Sequence, residues 1–534
     1  MNAASVLLGA AAAYALALRF YGRRLEATFG VDPSRPTPAH VRNDGVDYVP
    51  TRWPVLFGHH FSSICGAGPI VGPALAAAYW GWGPTVLWVV LGAALLGAVS
   101  DFASLIVSVR HGGKSVADVS GELLGRRSRL CFMAFIWCAL ILVLAVFADL
   151  TARTLTAMPE IALPSMGLIG AALIAGRLSE RGASLATVTA VGLGLLAGLM
   201  AAGQYLPIVL PQQAWVVVLL AYCAVASIVP VQRLLQPRDY LASYLLYAMI
   251  IAGVIGTLWT RPDMSATAFK AFDPEAWPAA GPAWPMLFVT VACGALSGFH
   301  ALVSGGTTCK QLDSEAHACR IGYGAMLLEG FVAVLVIIAV AAGLEAGRHA
   351  ELLRGPGAVA AFAEGFAGLT YPFLGGFGAA FATLAINTFL LTTLDTATRI
   401  GRYLTEELAP IRDRRLSTAV VVAAAAALAL PGHWRRIWAV FGASNQLIGA
   451  LSLLVAGLWL LRQGRPALAV LVPAALMLVT TLAAFAWQLI GALRAGDLVM
   501  AGLLAVLCAL ALSVVFDALG ALRGRGAALS REAA

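Results

Sequence analysis

Charge is what this sequence has least of. Only 12% of its 534 residues are Asp, Glu, Lys or Arg, against about a quarter in soluble domains, which excludes a water-exposed globule for most of the chain. The longest stretches outside apolar runs are 21–54, 110–129, 260–283, 344–370 and 397–415, too short to fold as a separate soluble domain. Two motifs are also missing. Without a GxxxxGK[ST] phosphate loop or an HExxH pair, nothing points to ATP-driven transport, and neither an enzyme nor a resident cofactor is the expectation. The eight cysteines show no CxxC spacing, and none falls in a segment expected to face an oxidising compartment, which excludes a disulfide framework.

What the chain does have is hydrocarbon-compatible length. Its mean hydropathy is +0.85, and runs of about 17–25 residues, enough to cross a bilayer, recur throughout. Fifteen spans are expected, at 3–20, 55–79, 83–109, 130–150, 161–177, 184–203, 214–236, 239–259, 284–308, 323–343, 371–396, 416–431, 437–462, 466–489 and 498–520. If the spans alternate and the C-terminus is cytoplasmic, 27 of the 35 Lys and Arg fall in inside segments and 8 in outside ones, as the positive-inside rule requires. The N-terminus then faces the periplasm or exterior. Residues 3–20 read as an extra, uncleaved helix, because their charges follow the apolar core rather than precede it. The net charge of +8 is an orientation signal, so nucleic acid is not an expected partner and the lipid bilayer is. Ile400, Tyr403, Leu404 and Leu408 suggest an amphipathic surface helix in 397–415. Trp53, Trp80, Trp82 and Trp284 sit at span ends, as interfacial anchors do.

Two spans interrupt themselves. The first reads FGHHFSSICGAGPIVGP from Phe57, the second GALSGFHALVSGGTTCKQL from Gly294. Aligning His60 with His300 places a histidine five or six residues before a Gly-rich break in each. Seven spans start with the first (55–259) and seven with the second (284–520). An odd number per repeat gives opposite orientation, the pattern of an inverted-repeat secondary transporter with discontinuous helices. The expected fold is therefore an all-α polytopic bundle.

The blocks YVPTRWPVLFGHHFSSICGAGPIVGP, SDFASLIVSVRHGGKS, SGFHALVSGGTTCKQL, LTTLDTATRIGRYL and FGASNQLIGAL, spread from Tyr48 to Leu451, resemble the carbon starvation protein A family of bacterial inner-membrane transporters. That resemblance implies uptake of peptides, or of pyruvate with protons, when carbon is scarce, on the fold of the amino acid–polycation–organocation transporters.

Candidate site residues follow from the cost of polarity at membrane depth. Ser62, Ser63, Gly66 and Gly68 at the first break, and Ser304, Gly305, Gly306, Thr307 and Thr308 at the expected second, are assigned to substrate, with helix-start N–H groups suited to a carboxylate. Close helix packing is the competing account. His59, His60 and His300 are assigned to proton coupling, against hydrogen bonding to freed carbonyls or metal binding. Asp101, Glu329 and Asp395 join them as intramembrane acids, although Arg399, one turn after Asp395, is an obvious partner for it. Asp149 and Asp517, near span ends, read as interfacial. Asn387, Thr392, Thr393, Ser444, Asn445 and Gln446 read equally as packing glue and site lining. The expectation is proton-driven import of a small peptide, or alternatively of pyruvate. Sodium coupling, a nutrient sensor and a membrane-embedded metal or redox enzyme are the rival classes.

Overall fold

The computed structural model of the chain describes residues 1–230, 233–277, 280–345, 347–409, 411–431 and 434–532. Arg435, Arg436, Arg523, Arg525 and Arg531, counted above as loop charges, have side chains outside the described set. In chain order the helices are α1 Ala3–Phe29, α2 Trp53–Ile64, α3 Gly68–Tyr79, α4 Trp82–Arg110, α5 Val116–Leu124, α6 Arg126–Ala157, α7 Ala162–Glu180, α8 Leu185–Tyr205, α9 Gln212–Ile228 and α10 Leu235–Thr260. The rest are α11 Ala283–Thr290, α12 Ala292–Ala295, α13 Gly298–Gly306, α14 Gly324–Ala342, α15 Arg348–Arg354, α16 Ala358–Leu374, α17 Gly378–Leu408, α18 Arg414–Ala429, α19 Trp434–Arg462, α20 Leu468–Arg494 and α21 Leu498–Ala521.

Among the described residues, eleven helices are long and apolar enough to cross a membrane, or twelve with the bent pair α2–α3. The fifteen expected from hydropathy include segments that fold as shorter pieces. Residues 283–306 form three, and the expected span 371–396 is cut where α16 gives way to α17 at a Gly375–Phe377 turn. Pro372 and a left-handed Gly375 (φ 51°) cause that turn. The segment 344–370, expected as a loop, therefore contains a helix that packs on α3, α10, α14 and α17. Residues 397–408 are no surface helix either. They continue α17, with Ile400, Leu404, Arg399 and Arg402 all buried.

The basic segments gather at one end of the bundle. Arg110 grips Glu315 at 2.6 and 2.7 Å and also donates to the Gly30 carbonyl; Thr51 N–H donates to Gln311; Lys310 lies 4.4 Å over the Tyr403 ring; and Arg465 donates to Thr28. The opposite end joins the charge-poor segments. Ala3 N–H donates to Pro262, Met264 to Met1 and Ala266 to Ala341, and Lys270 Nζ donates to the Ala78 carbonyl ending α3. Trp80 and Trp82, expected as anchors, are buried there instead, their indoles donating to Gly281 and Ala266. Trp53 and Trp284 stay exposed.

Helix partners come in matching sets. As α3 packs on α14, so α13 packs on α4; as α2 packs on α10, α11 and α12 pack on α19; as α9 packs on α6, α18 packs on α17. At the centre, α6 and α17 lie against each other, as do α9 and α18.

Candidate functional site

The two broken spans cross at the middle of this arrangement. The first bends by 44° between α2 and α3. Cys65, Gly66 and Ala67 fall outside both helices, and Pro69 opens α3, where its missing N–H costs nothing. The glycines are there for close approach. A Cβ on Gly68 would sit 2.2 Å from Cys293 Sγ, and one on Gly66 would sit 2.7 Å from Thr393 Oγ1. The carbonyl of Ser63, freed by the break, accepts from the Thr393 hydroxyl at 3.2 Å.

The second break lies elsewhere than the sequence suggests. Leu296 and Ser297 are extended (φ −154° and −118°), three residues before His300, whereas Gly305 and Gly306 form the last turn of α13. No proline or glycine pair marks it, because a tertiary contact holds it. Asn445 Oδ1 accepts the Phe299 N–H at 2.7 Å, and its amide donates to Ser297 Oγ at 3.0 Å. The start of α13 is thus capped from α19, whereas at the start of α3 Pro69 has no N–H and those of Ile70 and Val71 return to the Ala67 carbonyl, which leaves the N–H groups of Ala67 and Gly68 open at the crossing. His60 precedes its break and His300 follows its own, so the two are not equivalent positions of a repeat.

Three ionisable residues singled out separately meet here. His300 Nδ1 lies 3.1 Å from Asp101 Oδ2, and its Nε2 lies 3.0 Å from Glu329 Oε2. The three belong to α13, α4 and α14, and all are fully buried. Asp101 Oδ1 and both Glu329 oxygens lack a well-aligned hydrogen-bond donor, and so do the buried hydroxyls of Ser100, Ser104, Ser108 and Ser304. Each carboxylate faces a different ring nitrogen, the geometry of a bridging imidazole rather than of a shared metal ion. No Lys or Arg forms an ion pair with the triad among the described residues.

A second buried network has a permanent cation. His59 Nδ1 lies 2.7 Å from Asp239 Oδ2. The guanidinium of Arg238 donates to Asp239 Oδ1 at 2.7 Å, to Tyr222 Oη at 2.5 Å, and to Asp395 Oδ2. Tyr222 in turn donates to Asp395 at 2.6 Å. Helices α2, α9, α10 and α17 are joined by these bonds. Arg399 is not the partner of Asp395, because its side chain turns to the carbonyls of Ala226 and Val229 at the end of α9 and to Asp47. Arg238, Asp239 and Tyr222 were missed in the sequence. Arg238 was counted as a loop charge because it opens a span, and only the unusual Arg-Asp pair beside an apolar run hinted otherwise.

The remaining candidates divide. His60 Nδ1 reaches Thr308 Oγ1 at 2.9 Å, and Ser63 reaches Thr396 at 3.3 Å. Ser62 bonds instead to the backbone of Asp239, Thr307 to its own helix, and Gly305 packs against Ser108. Asp149, expected at the interface, is buried and takes bonds from Arg153 and Gln212.

The chain has known relatives in sequence and in fold. The family model of carbon starvation protein CstA matches residues 2–354 and 344–484. A peptide transporter CstA of Escherichia coli is 33% identical over 91% of this chain and 81% of its own length. The Bacillus subtilis peptide transporter CstA is 32% identical over 91% of each. The pyruvate/proton symporter BtsT of E. coli is 36% identical over 64% of this chain and 49% of its own. In fold alone, a solved manganese transporter of Eremococcus coleocola is similar, with a TM-score of 0.53 at 10% identity over 90% of this chain and 99% of that one. This multi-pass membrane protein belongs to the carbon starvation protein CstA family.

Proposed function

We propose that the protein is a proton-coupled secondary transporter that brings small peptides across the bacterial inner membrane, with its N-terminus outside and its C-terminus in the cytoplasm. Relatives named as peptide transporters along most of the chain support the substrate. The observation that carries the mechanism is the buried Asp101–His300–Glu329 triad. Two carboxylates and one imidazole with no permanent cation reach neutrality only by taking up cations, and protons are the cations imidazole and carboxylate exchange directly.

The matching helix contacts support two inverted repeats. In this reading the units are residues 53–260, with α7 and α8 inserted, and 283–462, with α20 and α21 outside the repeat. Alternating access then proceeds in three steps. A substrate carboxylate docks at the start of α3, beside Gly66 and Gly68. Protonation of the triad removes the charge that holds α13 against α4 and α14. The Arg238 network then opens at the basic end and frees α2 from α10 to deliver the peptide inward. The column Ser100, Ser104 and Ser108 on α4 offers hydroxyls for the proton between the triad and that end.

Pyruvate is the second reading, favoured by the match to a pyruvate/proton symporter. A competition panel of dipeptides against pyruvate in proteoliposomes separates the two. An imposed inward proton gradient should drive accumulation, and replacing sodium by choline should leave it unchanged. Accumulation that needs sodium, or that ignores the gradient, would sink the proton mechanism.

A further inference from the structure

At the basic end of the bundle, a cavity of about 430 Å³ lies where the start of α2 meets the first turn of α10. Arg52 and Val55 line it from the α2 side, and Gln236, Pro237 and Tyr240 from α10. Its outer wall is the end of α7 and the start of α8, through Ala175, Ser179, Leu185 and Val188. The walls are tied together. Gln236 donates to Thr51 Oγ1 at 3.0 Å, and the Tyr240 hydroxyl lies 2.9 Å from that of Thr189 on α8.

Arg52 differs from other arginines of this end. Arg110, Arg399 and Arg465 hold carboxylates or carbonyls, whereas the exposed Arg52 guanidinium has no hydrogen bond, ion pair or ring contact among the described residues. The one carboxylate in the lining, Glu180, is paired with Arg233 at 3.0 Å. Arg177 and Arg181, exposed at the end of α7, add to the local excess of positive charge. Trp53, beside Arg52 and 41% exposed, marks the level of lipid headgroups, where interfacial tryptophans sit. Along its length α8 buries only Val188, Gly192, Leu196 and Gly203, so the outer wall is a helix with lipid over most of its surface. Neither α7 nor α8 takes part in the triad or the Arg238 network.

We infer that this cavity holds the headgroup of an anionic phospholipid, its phosphodiester on Arg52 and its acyl chains along α8. A guanidinium pairs with two phosphate oxygens in parallel bonds, and the Ser179 hydroxyl supplies a further donor. Basic pockets between membrane helices are suited to such lipids. A net-negative headgroup is favoured over a zwitterionic one, because the only acid in the lining is already engaged by Arg233. The same fact disfavours a free peptide, whose ammonium would find no open carboxylate. The apolar walls from Val55, Leu185 and Val188 suit a glycerol backbone, and the volume falls within the range of small-molecule sites. A lipid bound there bridges α2 to the α7–α8 insert.

The test measures how the purified full chain retains dioleoylphosphatidylglycerol and dioleoylphosphatidylcholine, by native mass spectrometry and by the rise in unfolding temperature in detergent. Wild type should hold the phosphatidylglycerol ~10-fold more tightly. Arg52 has no partner to lose, so Arg52→Gln should fold and bring that lipid down to the phosphatidylcholine level, while Arg52→Lys keeps most of the preference. Ala183→Trp, which fills the cavity without changing its charge, should remove the preference as well. Arg24→Gln, at an exposed arginine of the same end outside the cavity, should leave it unchanged. The inference is overturned if Arg24→Gln costs as much as Arg52→Gln, which would mean diffuse surface attraction, or if Ala183→Trp retains the preference. It is equally overturned if inorganic phosphate protects as well as the lipid, marking a free-anion site, or if alanylalanine displaces the lipid, assigning the cavity to substrate.

Discussion

Two buried ionic clusters share the core of this protein, and only one of them holds a permanent cation. Around Arg238, two carboxylates share a guanidinium that is always charged, and one of them, Asp239, also meets His59. Around His300, two carboxylates share only an imidazole. A cluster with a permanent cation is built to stay paired, and opens only when helices move. A cluster whose one basic group is an imidazole can gain or lose a proton without any helix moving. The first is suited to be a lock between α2, α10 and α17, the second a proton site between α4, α13 and α14.

The largest break in that comparison comes from the proton site. Asp101→Asn should reduce gradient-driven accumulation by ~100-fold or more while leaving substrate exchange across the membrane, since only the charged step is removed. Wild-type accumulation in this variant would return Asp101 to a structural role. Next comes the lock. Arg238→Met strands Asp239 and Asp395 in the core and should cost ~3–5 kcal/mol of stability, read as a lowered unfolding temperature in detergent. Adding Asp395→Leu should recover part of that loss; if the double variant is no better than the single, the pair is not coupled. Gly68→Ala tests the crossing itself, because the new methyl meets Cys293. It should cost ~1–3 kcal/mol and slow uptake, and Cys293→Gly, which removes both the Cβ and the Sγ that the methyl meets, should relieve both.

The smallest effect lies outside the membrane. Burial, then the positive charge of Lys270, pushes the His349 imidazole down to about 4 from an ordinary 6.5. Since the unfolded chain binds the proton more readily, stability is full above 6.5 and declines as pH falls through 4. Discounted for partial exposure, the loss is roughly 1 kcal/mol. His349→Gln should flatten the unfolding midpoint between those pH values, and an unchanged slope would assign the acid sensitivity to another group.

How much of this was written in the sequence depends on whether a signal was local. The first break was legible because Gly-Ala-Gly-Pro cannot continue a helix with its bonds intact. Asp101, Glu329 and His300 were each legible as costly residues in apolar runs, but their meeting was not. Asp101 and His300 lie 199 residues apart in sequence, and no periodicity links them. The second break escaped because Asn445, on a distant helix, supplies what glycine and proline supply at the first. The Arg399 pairing failed for a related reason. Spacing along one helix puts it beside Asp395, yet α9 offers it unpaired carbonyls at its own end. Local rules found the polar residues inside apolar runs and missed Arg238 at the edge of one; partners that arrive from other helices decided what each one does.

Simultaneous recording of proton and dipeptide flux into proteoliposomes, for wild type and Asp101→Asn, tests the central claim most directly. The account predicts that wild type moves protons inward with peptide in a fixed ratio, and that Asp101→Asn exchanges peptide with no proton flux. Peptide accumulation by wild type without accompanying protons, or an undiminished proton flux in the variant, would contradict it.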